Sequence, residues 1–306
     1  LPFCPTKCEY CSFITAPVAC VQKYIPQYVE TLVSEIESLN GITGKINSVY
    51  IGGGTPFCID NYYLTRIYAA INALGAVNAE FTVEAGRPDT FTEEKLAACR
   101  DAGVNRICVN PQTFSDVTLE KIGRRHTSAQ MFKAYEMAQK YGFDINIDLI
   151  AGLSGETIAD FKNSLSCAIS LQPADITVHS LCLKAGSRLK EHTSRIESDG
   201  IDGMIALSRE MLTAAGYEPY YLYRQKYQAG AGENIGWCKS GKACVYNIDT
   251  MEEICSNIAV GSNAISKRVF GEGGRIERLA SPKDIPTYLS KADEITKKRT
   301  GLFSVL

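Results

Sequence analysis

What most constrains this chain is an alternation of two hydrophobic periods that repeats over most of its length. Tyr28, Leu32, Ile36 and Leu39 fall on one helical face, and Ile46, Val49 and Ile51 then form a short apolar strand ending at Gly52. Leu64, Ile67, Tyr68, Ile71 and Leu74 repeat the helical pattern, and Phe81 and Val83 the strand. Thr92 caps a helix through Leu96 and Cys99 ahead of a strand from Arg106 to Val109. Ser128 opens a helix carrying Phe132, Tyr135 and Ala138. After it come a strand over Asp144 to Ile150, a helix around Phe161 and Leu165, and a strand over Ile176 to Ser180. A helix with Leu207 and Met211 precedes a Tyr-rich strand near Tyr220. Strands spaced by helices need crossover connections, so the pattern predicts an α/β fold with a parallel sheet, open or rolled into a barrel.

The chain begins Leu1-Pro2-Phe3-Cys4 with no methionine, and these residues read as the end of a strand. Counting it gives a (β/α)6 pattern and predicts that a native segment precedes residue 1. Beyond about Glu218 the alternation gives way to Tyr- and Gly-rich sequence and then a charged, helix-compatible tail. Two regions are therefore expected, 1–217 and a smaller 218–306.

With 32 basic and 34 acidic side chains the formal charge is -2, so no long-range field draws the molecule to nucleic acid or an anionic membrane. No apolar run approaches the ~18 residues of a membrane span, and no signal segment opens the chain. These features predict a cytoplasmic protein with no nucleic-acid partner and no membrane span. Twelve cysteines without a disulfide framework then read as reduced thiols, some of them metal ligands. Nine stand singly, mostly in apolar periodic segments, where Cys behaves as a small buried hydrophobe.

The other three are clustered. Cys4-Pro-Thr-Lys-Cys8-Glu-Tyr-Cys11 has spacing C-x3-C-x2-C, directly after the first strand. Structural zinc is usually closed by four ligands, whereas three thiolates can hold three irons of a [4Fe-4S] cluster and leave the fourth open. A coincidental trio, or zinc with an outside ligand, is the competing reading. Other strand ends are also polar or glycine-rich: Gly52-Gly53-Gly54-Thr55-Pro56, Glu84, Gln112, and Asp148, four residues before Gly152. Singly, each has a bland explanation, such as a tight turn, a lysine partner or a loop cap. In a β/α fold the carboxyl ends of strands share one face, where active sites form.

The cysteine triplet, Tyr10 and Gly52 to Pro56 together resemble the radical S-adenosylmethionine (SAM) superfamily. Val83-Glu-Ala-Gly-Arg-Pro-Asp89, Val109-Asn-Pro-Gln-Thr113, Ile122-Gly-Arg-Arg-His-Thr127 and Asn146-Ile-Asp-Leu-Ile150 narrow the resemblance to the oxygen-independent coproporphyrinogen III oxidase group. Tyr220-Tyr-Leu-Tyr-Arg-Gln-Lys226 and Glu233-Asn-Ile-Gly-Trp237 resemble its HemZ-type branch, coproporphyrinogen dehydrogenase. The resemblance implies a partial (β/α)6 TIM-like barrel with a carboxy-terminal extension. It also implies a [4Fe-4S] cluster on Cys4, Cys8 and Cys11 that binds SAM, and an electron donor such as flavodoxin or ferredoxin. Reductive cleavage of SAM to a 5'-deoxyadenosyl radical, hydrogen abstraction from a propionate side chain, loss of carbon dioxide and removal of the remaining electron by an acceptor would give a vinyl group, and two such rounds would convert a porphyrinogen substrate, coproporphyrinogen III, to protoporphyrinogen IX. Carried over position by position, Tyr10 lies beside adenine, and Gly53, Gly54 and Thr55 lie along the methionine moiety. Glu84, Gln112, Arg124 and Asp148 make the remaining polar SAM contacts.

The family's catalytic tyrosine would lie upstream of residue 1. Ser12-Phe13 replaces an extra downstream cysteine, Ser154 replaces a common proline, and Glu233 stands where haem-carrying relatives place histidine. A haem-binding or haem-delivery protein is the rival reading, with His126, His179 and His192 as its available histidines. A third reading, radical modification of tRNA, would predict an added basic module. Tyr217, Tyr220, Tyr221, Tyr223 and Tyr227, with Arg224 and Lys226, could hold a flat macrocycle, or could form one buried aromatic face of a strand.

Overall fold

The computed structural model describes residues 1–76, 78–183, 186–192, 199–223, 233–271 and 274–304. Five strands, β3 (Ser48–Ile51), β4 (Glu80–Gly86), β5 (Arg106–Val109), β6 (Asp144–Ala151) and β7 (Asp175–Ser180), lie parallel and in chain order. Helices Asn61–Ala73, Glu93–Asp101, Ser128–Lys140 and Ile158–Ser170 make the crossovers. Asp60, Thr92, Thr127 and Thr157 cap them by accepting backbone N–H bonds, the last two as full capping boxes with Gln130 and Asp160. Inner strand residues such as Val83, Ile107, Ile147 and Ile176 are fully buried between sheet and helices. The result is a curled α/β half-barrel.

The first strand is present in altered form. β1 (Phe3–Cys4) pairs in parallel with the short β2 (Ala16–Pro17), outside the main ladder. Leu1 to Phe3 are nevertheless tied to the loop after β3: the Leu1 amine donates to Gly52 O (2.8 Å), and Gly54 N and Thr55 N donate to Leu1 O and Phe3 O (both 2.7 Å).

At the far edge the sheet turns antiparallel. The Tyr-rich strand exists as β8 (Glu218–Tyr223), but it does not neighbour β7. A strand the periodicity did not reveal, β9 (Asn234–Cys238), inserts between them, antiparallel to both. The seven-stranded sheet thus runs past residue 217, the expected regional boundary. The hairpin β10 (Ile265–Phe270) and β11 (Arg275–Ala280) and the helix Ile285–Phe303 follow. That helix packs on the helix Ile25–Glu37, where buried Glu35 receives Arg299 Nη1 (2.9 Å), the Tyr288 hydroxyl and Gly261 N (3.0 Å). Among the described residues no helix is long and apolar enough to cross a membrane.

The amino ends of the strands are closed by charge pairing. Glu80, Arg106, Asp144 and Asp175 are the first residues of β4, β5, β6 and β7. Arg106 reaches Asp175 at 2.7 Å, Glu80 at 3.3 Å and Lys242 O at 2.7 Å. Glu80 also accepts the N–H groups of Val245 and Tyr246, at the start of the helix Val245–Glu252, and Lys242 pairs with Asp144. With this end sealed, the opening lies at the carboxyl ends.

Candidate active site

Residues 4–12 cross the carboxyl ends as a loop pinned from several sides. Thr6 Oγ1 donates to Gly123 O (3.0 Å) and receives Arg87 Nη1 (2.5 Å); Glu9 N donates to Ile122 O (3.1 Å) and Leu189 N to Glu9 O (2.8 Å). Arg87, only 2% exposed, also pairs with Asp89. The loop can therefore present its thiols in a fixed arrangement. Cys8 is buried, Cys4 and Cys11 are partly exposed, and Thr55 Oγ1 lies 3.7 Å from Cys4 Sγ. Burial raises the thiol pKa of Cys4 and of Cys11; Cys8 raises Cys4 further, and Cys8 and Cys4 raise Cys11 further.

The glycine run beneath has a packing reason of its own. A Cβ on Gly54 would stand 2.2 Å from Phe3 O, and one on Gly53, at φ +112°, 2.8 Å from Leu1 O. Neither clash can be relieved by a side-chain rotation, because the obstacle is backbone. Gly53 N meanwhile donates to Glu84 Oε2 (3.2 Å). Burial, then the Asp148 charge, raises the Glu84 carboxyl above its ordinary range, while the Tyr50 hydroxyl and Gly53 N–H pull the other way.

Gln112 holds φ +71°, which a residue with a side chain seldom adopts. Its backbone bonds to Asp148 O (3.0 Å) and Ile150 N (2.9 Å) keep it there. Such strain of about 1 kcal/mol persists where neighbours over-determine the conformation. Asp148 Oδ1 accepts from Asn146 Nδ2 (2.9 Å). Arg124 is buried, donates to Asn110 O and to the Tyr10 oxygen, and has no partner for its Nε. Burial holds the Tyr10 phenol protonated, far above its usual range.

All of Cys4, Cys8, Cys11, Tyr10, Gly53, Gly54, Thr55, Glu84, Gln112, Arg124 and Asp148 line one cavity of about 230 Å³. Arg87, Asn110, His179, Ser180 and Tyr223 also line it; the sequence offered His179 only as a haem histidine and Tyr223 only as part of a macrocycle-holding tyrosine group, and gave Arg87, Asn110 and Ser180 no site role. His179 and Ser180 end β7, so the strand-end argument that found Asp148 could have found them. His126 is buried off the cavity wall, its pKa pushed down to about 3 by burial and by the charges of Arg124 and Arg87. His192 ends the helix Arg188–His192. Arg224, Lys226 and Tyr227 lie outside the described residues.

The donor set fits the cofactors the motif implies. Three thiolates spread round a cavity suit a polynuclear cluster with one thiolate per iron. For the small molecule, the cavity offers two carboxylates and buried polar atoms with no protein partner, Asn110 Oδ1, Arg124 Nε and Ser180 Oγ.

Residues 1–168 match the family described as the Radical SAM superfamily. The oxygen-independent coproporphyrinogen-III oxidase-like protein HemZ of Bacillus subtilis is 35% identical over 98% of this chain and 62% of its own length. The heme chaperone HemW of Bacillus subtilis is 35% identical over 60% of this chain and 49% of its own, and that of Haemophilus influenzae 28% over 94% and 74%. The chain thus spans less than two thirds of the two Bacillus relatives. The coproporphyrinogen III oxidase HemN of Escherichia coli, a radical SAM enzyme, shares the fold at a TM-score of 0.77 and 19% identity, over 97% of this chain and 68% of that one.

Proposed function

This chain belongs to the radical SAM superfamily, and from that premise we propose that it serves the oxygen-independent oxidative decarboxylation of coproporphyrinogen III to protoporphyrinogen IX. The cofactors are those of the family, a [4Fe-4S] cluster and SAM. The observation that carries the reading is the likeness to the HemZ oxidase-like protein over 98% of this chain, joined to one cavity that gathers all eleven candidate cluster and SAM residues.

Under this proposal Cys4, Cys8 and Cys11 hold the cluster, Glu84 faces the SAM ammonium, and Arg124 and Tyr10 form the wall beside the adenine. Asp148 takes the ribose hydroxyls, for which a carboxylate is an apt acceptor. Gln112 and the Gly53 and Gly54 backbone fix the methionine end. When bound and reduced, the cluster supplies the electron that cleaves SAM to the 5'-deoxyadenosyl radical. The protein's own task is to hold substrate and cofactor in register and keep water out. A small electron carrier of the flavodoxin or ferredoxin type would deliver the electron, and the compartment would be the cytoplasm.

Haem delivery without decarboxylation is the second reading, favoured by the HemW relatives. Against it, Glu233 stands at the histidine position of the haem-carrying motif and lies 3.5 Å from Arg209. Anaerobic incubation of the full-length protein with reductant, SAM and coproporphyrinogen III separates the two. Release of carbon dioxide with formation of protoporphyrinogen IX is the expected result. SAM cleavage without decarboxylation, together with a saturable one-to-one haem Soret shift, would replace this reading with the other.

A further inference from the structure

The cavity residues given to cofactors come from the loops after β1 and β3, from β4, from the segments after β5 and from β6, and none comes from the end of the sheet formed by β7, β9 and β8. There the strand ends hold a connected polar group. His179 Nε2 lies 3.7 Å from Asp148 Oδ2, and its Nδ1 is 3.0 Å from the Tyr223 hydroxyl. Ser180 Oγ beside it is buried with no partner among the described residues. All four residues line the cavity.

This group is built, not incidental. Tyr223 belongs to β8 and His179 to β7, with β9 between them, so the tyrosine must reach over a strand. β9 permits this by presenting Gly236 opposite Tyr221; a Cβ on Gly236 would stand 1.9 Å from that ring. Tyr221 thereby reaches Thr177 Oγ1 (3.3 Å), and the Tyr223 ring lies parallel to the Tyr221 ring, tilted by 2°. Asn234, fully buried, ties the ends together: its Oδ1 accepts from Ser180 N (2.8 Å) and its Nδ2 donates to Tyr223 O (3.1 Å).

We propose that Tyr223 binds a propionate carboxylate of the substrate through its hydroxyl, with His179 positioning the tyrosine and Asp148 orienting the imidazole. This rests on the porphyrinogen reading above and names its substrate contact. The imidazole lies between Asp148 and Tyr223, and an Nδ1–H directed at the tyrosine oxygen fixes that hydroxyl as acceptor on this side. The Tyr223 O–H is then turned outward to the carboxylate, and Ser180 Oγ lies beside it as a further donor.

The test is a fluorescence titration of reconstituted full-length protein with coproporphyrin III, the air-stable macrocycle bearing four propionates, and with its tetramethyl ester. Wild type should prefer the free acid by roughly tenfold or more, the worth of a hydrogen bond to a charged group. Tyr223→Phe and His179→Gln should bring the acid's affinity down toward the ester's and leave the ester's unmoved. Tyr223→Phe keeps the ring stack, so it remains informative if His179→Gln does not fold, and iron content reports folding in both. Wild-type preference for the acid in both variants overturns the inference and spares the substrate reading. Binding of neither macrocycle by wild type removes that reading and the inference with it. Equal binding of acid and ester by wild type removes the inference alone. A haemin Soret shift lost in His179→Gln and kept in Tyr223→Phe would make His179 an axial ligand and overturn the inference.

Discussion

The two ends of the sheet bury polar groups in opposite ways. At the amino ends, the Arg106 guanidinium contacts Glu80, Asp175 and the Lys242 carbonyl, and Glu80 additionally accepts two backbone N–H bonds. At the carboxyl ends, Glu84 keeps the Tyr50 hydroxyl and Gly53 N–H but has no cationic side chain against it and feels the Asp148 charge, and among the described residues Asn110 Oδ1, Arg124 Nε and Ser180 Oγ lack partners. Each guanidinium nitrogen of Arg106 has a partner, although Asp175 Oδ1 has none among the described residues and burial pushes the Asp175 carboxyl up to about 8; so nearly complete a set around one cation holds strands in register. A buried charge left short of partners is destabilising by itself and marks a place where a ligand completes the set. The same residue types serve structure at one end and binding at the other, and partner completeness distinguishes them.

The hardest test of that contrast is at the open end. Cys8→Ala should remove the cluster outright, with iron content and the visible band falling to background while the far-ultraviolet circular dichroism spectrum keeps its shape. Retained iron would mean that the loop is not the cluster's seat. At the closed end the expected failure is of the other kind. Arg106→Met leaves Asp175 and Glu80 without their cation and should cost about 3–5 kcal/mol in anaerobic urea unfolding. SAM affinity of the folded fraction should change by less than about twofold, since the two sites share no partner. A SAM affinity that fell in proportion to stability would abolish the distinction between the ends. Next in size, Glu84→Ala and Asp148→Ala should each weaken SAM binding about tenfold or more by calorimetry, with iron content intact. Wild-type affinity in both would make these carboxylates structural, like Glu80.

What the sequence revealed follows the same division. The open end was legible because its signals are local: three thiols in eight residues, a glycine run, and polar residues at points where an apolar strand stops. The closed end was not, because Arg106 meets Glu80 and Asp175 across separations of 26 and 69 residues, and no short-range pattern encodes such a pairing. β9 escaped for a related reason. Asn234-Ile-Gly-Trp-Cys238 is a short strand whose glycine suggests a turn, and its purpose, room for the Tyr221 ring, appears only when β8 lies alongside. Tyr220 and its neighbours carried two readings in the sequence; in the fold, Tyr221 and Tyr223 make one ladder over β9, while Tyr220 turns to Asn247 (2.9 Å).

The finest test of partner completeness is a proton count. In the empty protein the Glu84 carboxyl is raised above 4.5, chiefly by burial and then by Asp148, so it holds its proton to higher pH than an ordinary glutamate. Ionised Glu84 therefore costs stability, and the empty protein should lose stability as pH rises through that raised value. An ammonium group placed against it favours the charged form and draws the pKa back down. SAM binding must then expel a fraction of a proton in the window between the lowered and raised values, and affinity should increase with pH across that window and level off above it. Calorimetry across a pH series in two buffers of different ionisation enthalpy measures the proton directly. The apparent binding heat should differ between the buffers within the window for wild type, converge above it, and be the same in both buffers throughout for Glu84→Gln. Proton uptake in place of release would mean that the ligand leaves Glu84 in a more apolar setting than before, and the ammonium would have to be assigned to another carboxylate, with Asp148 the nearest candidate on the cavity wall.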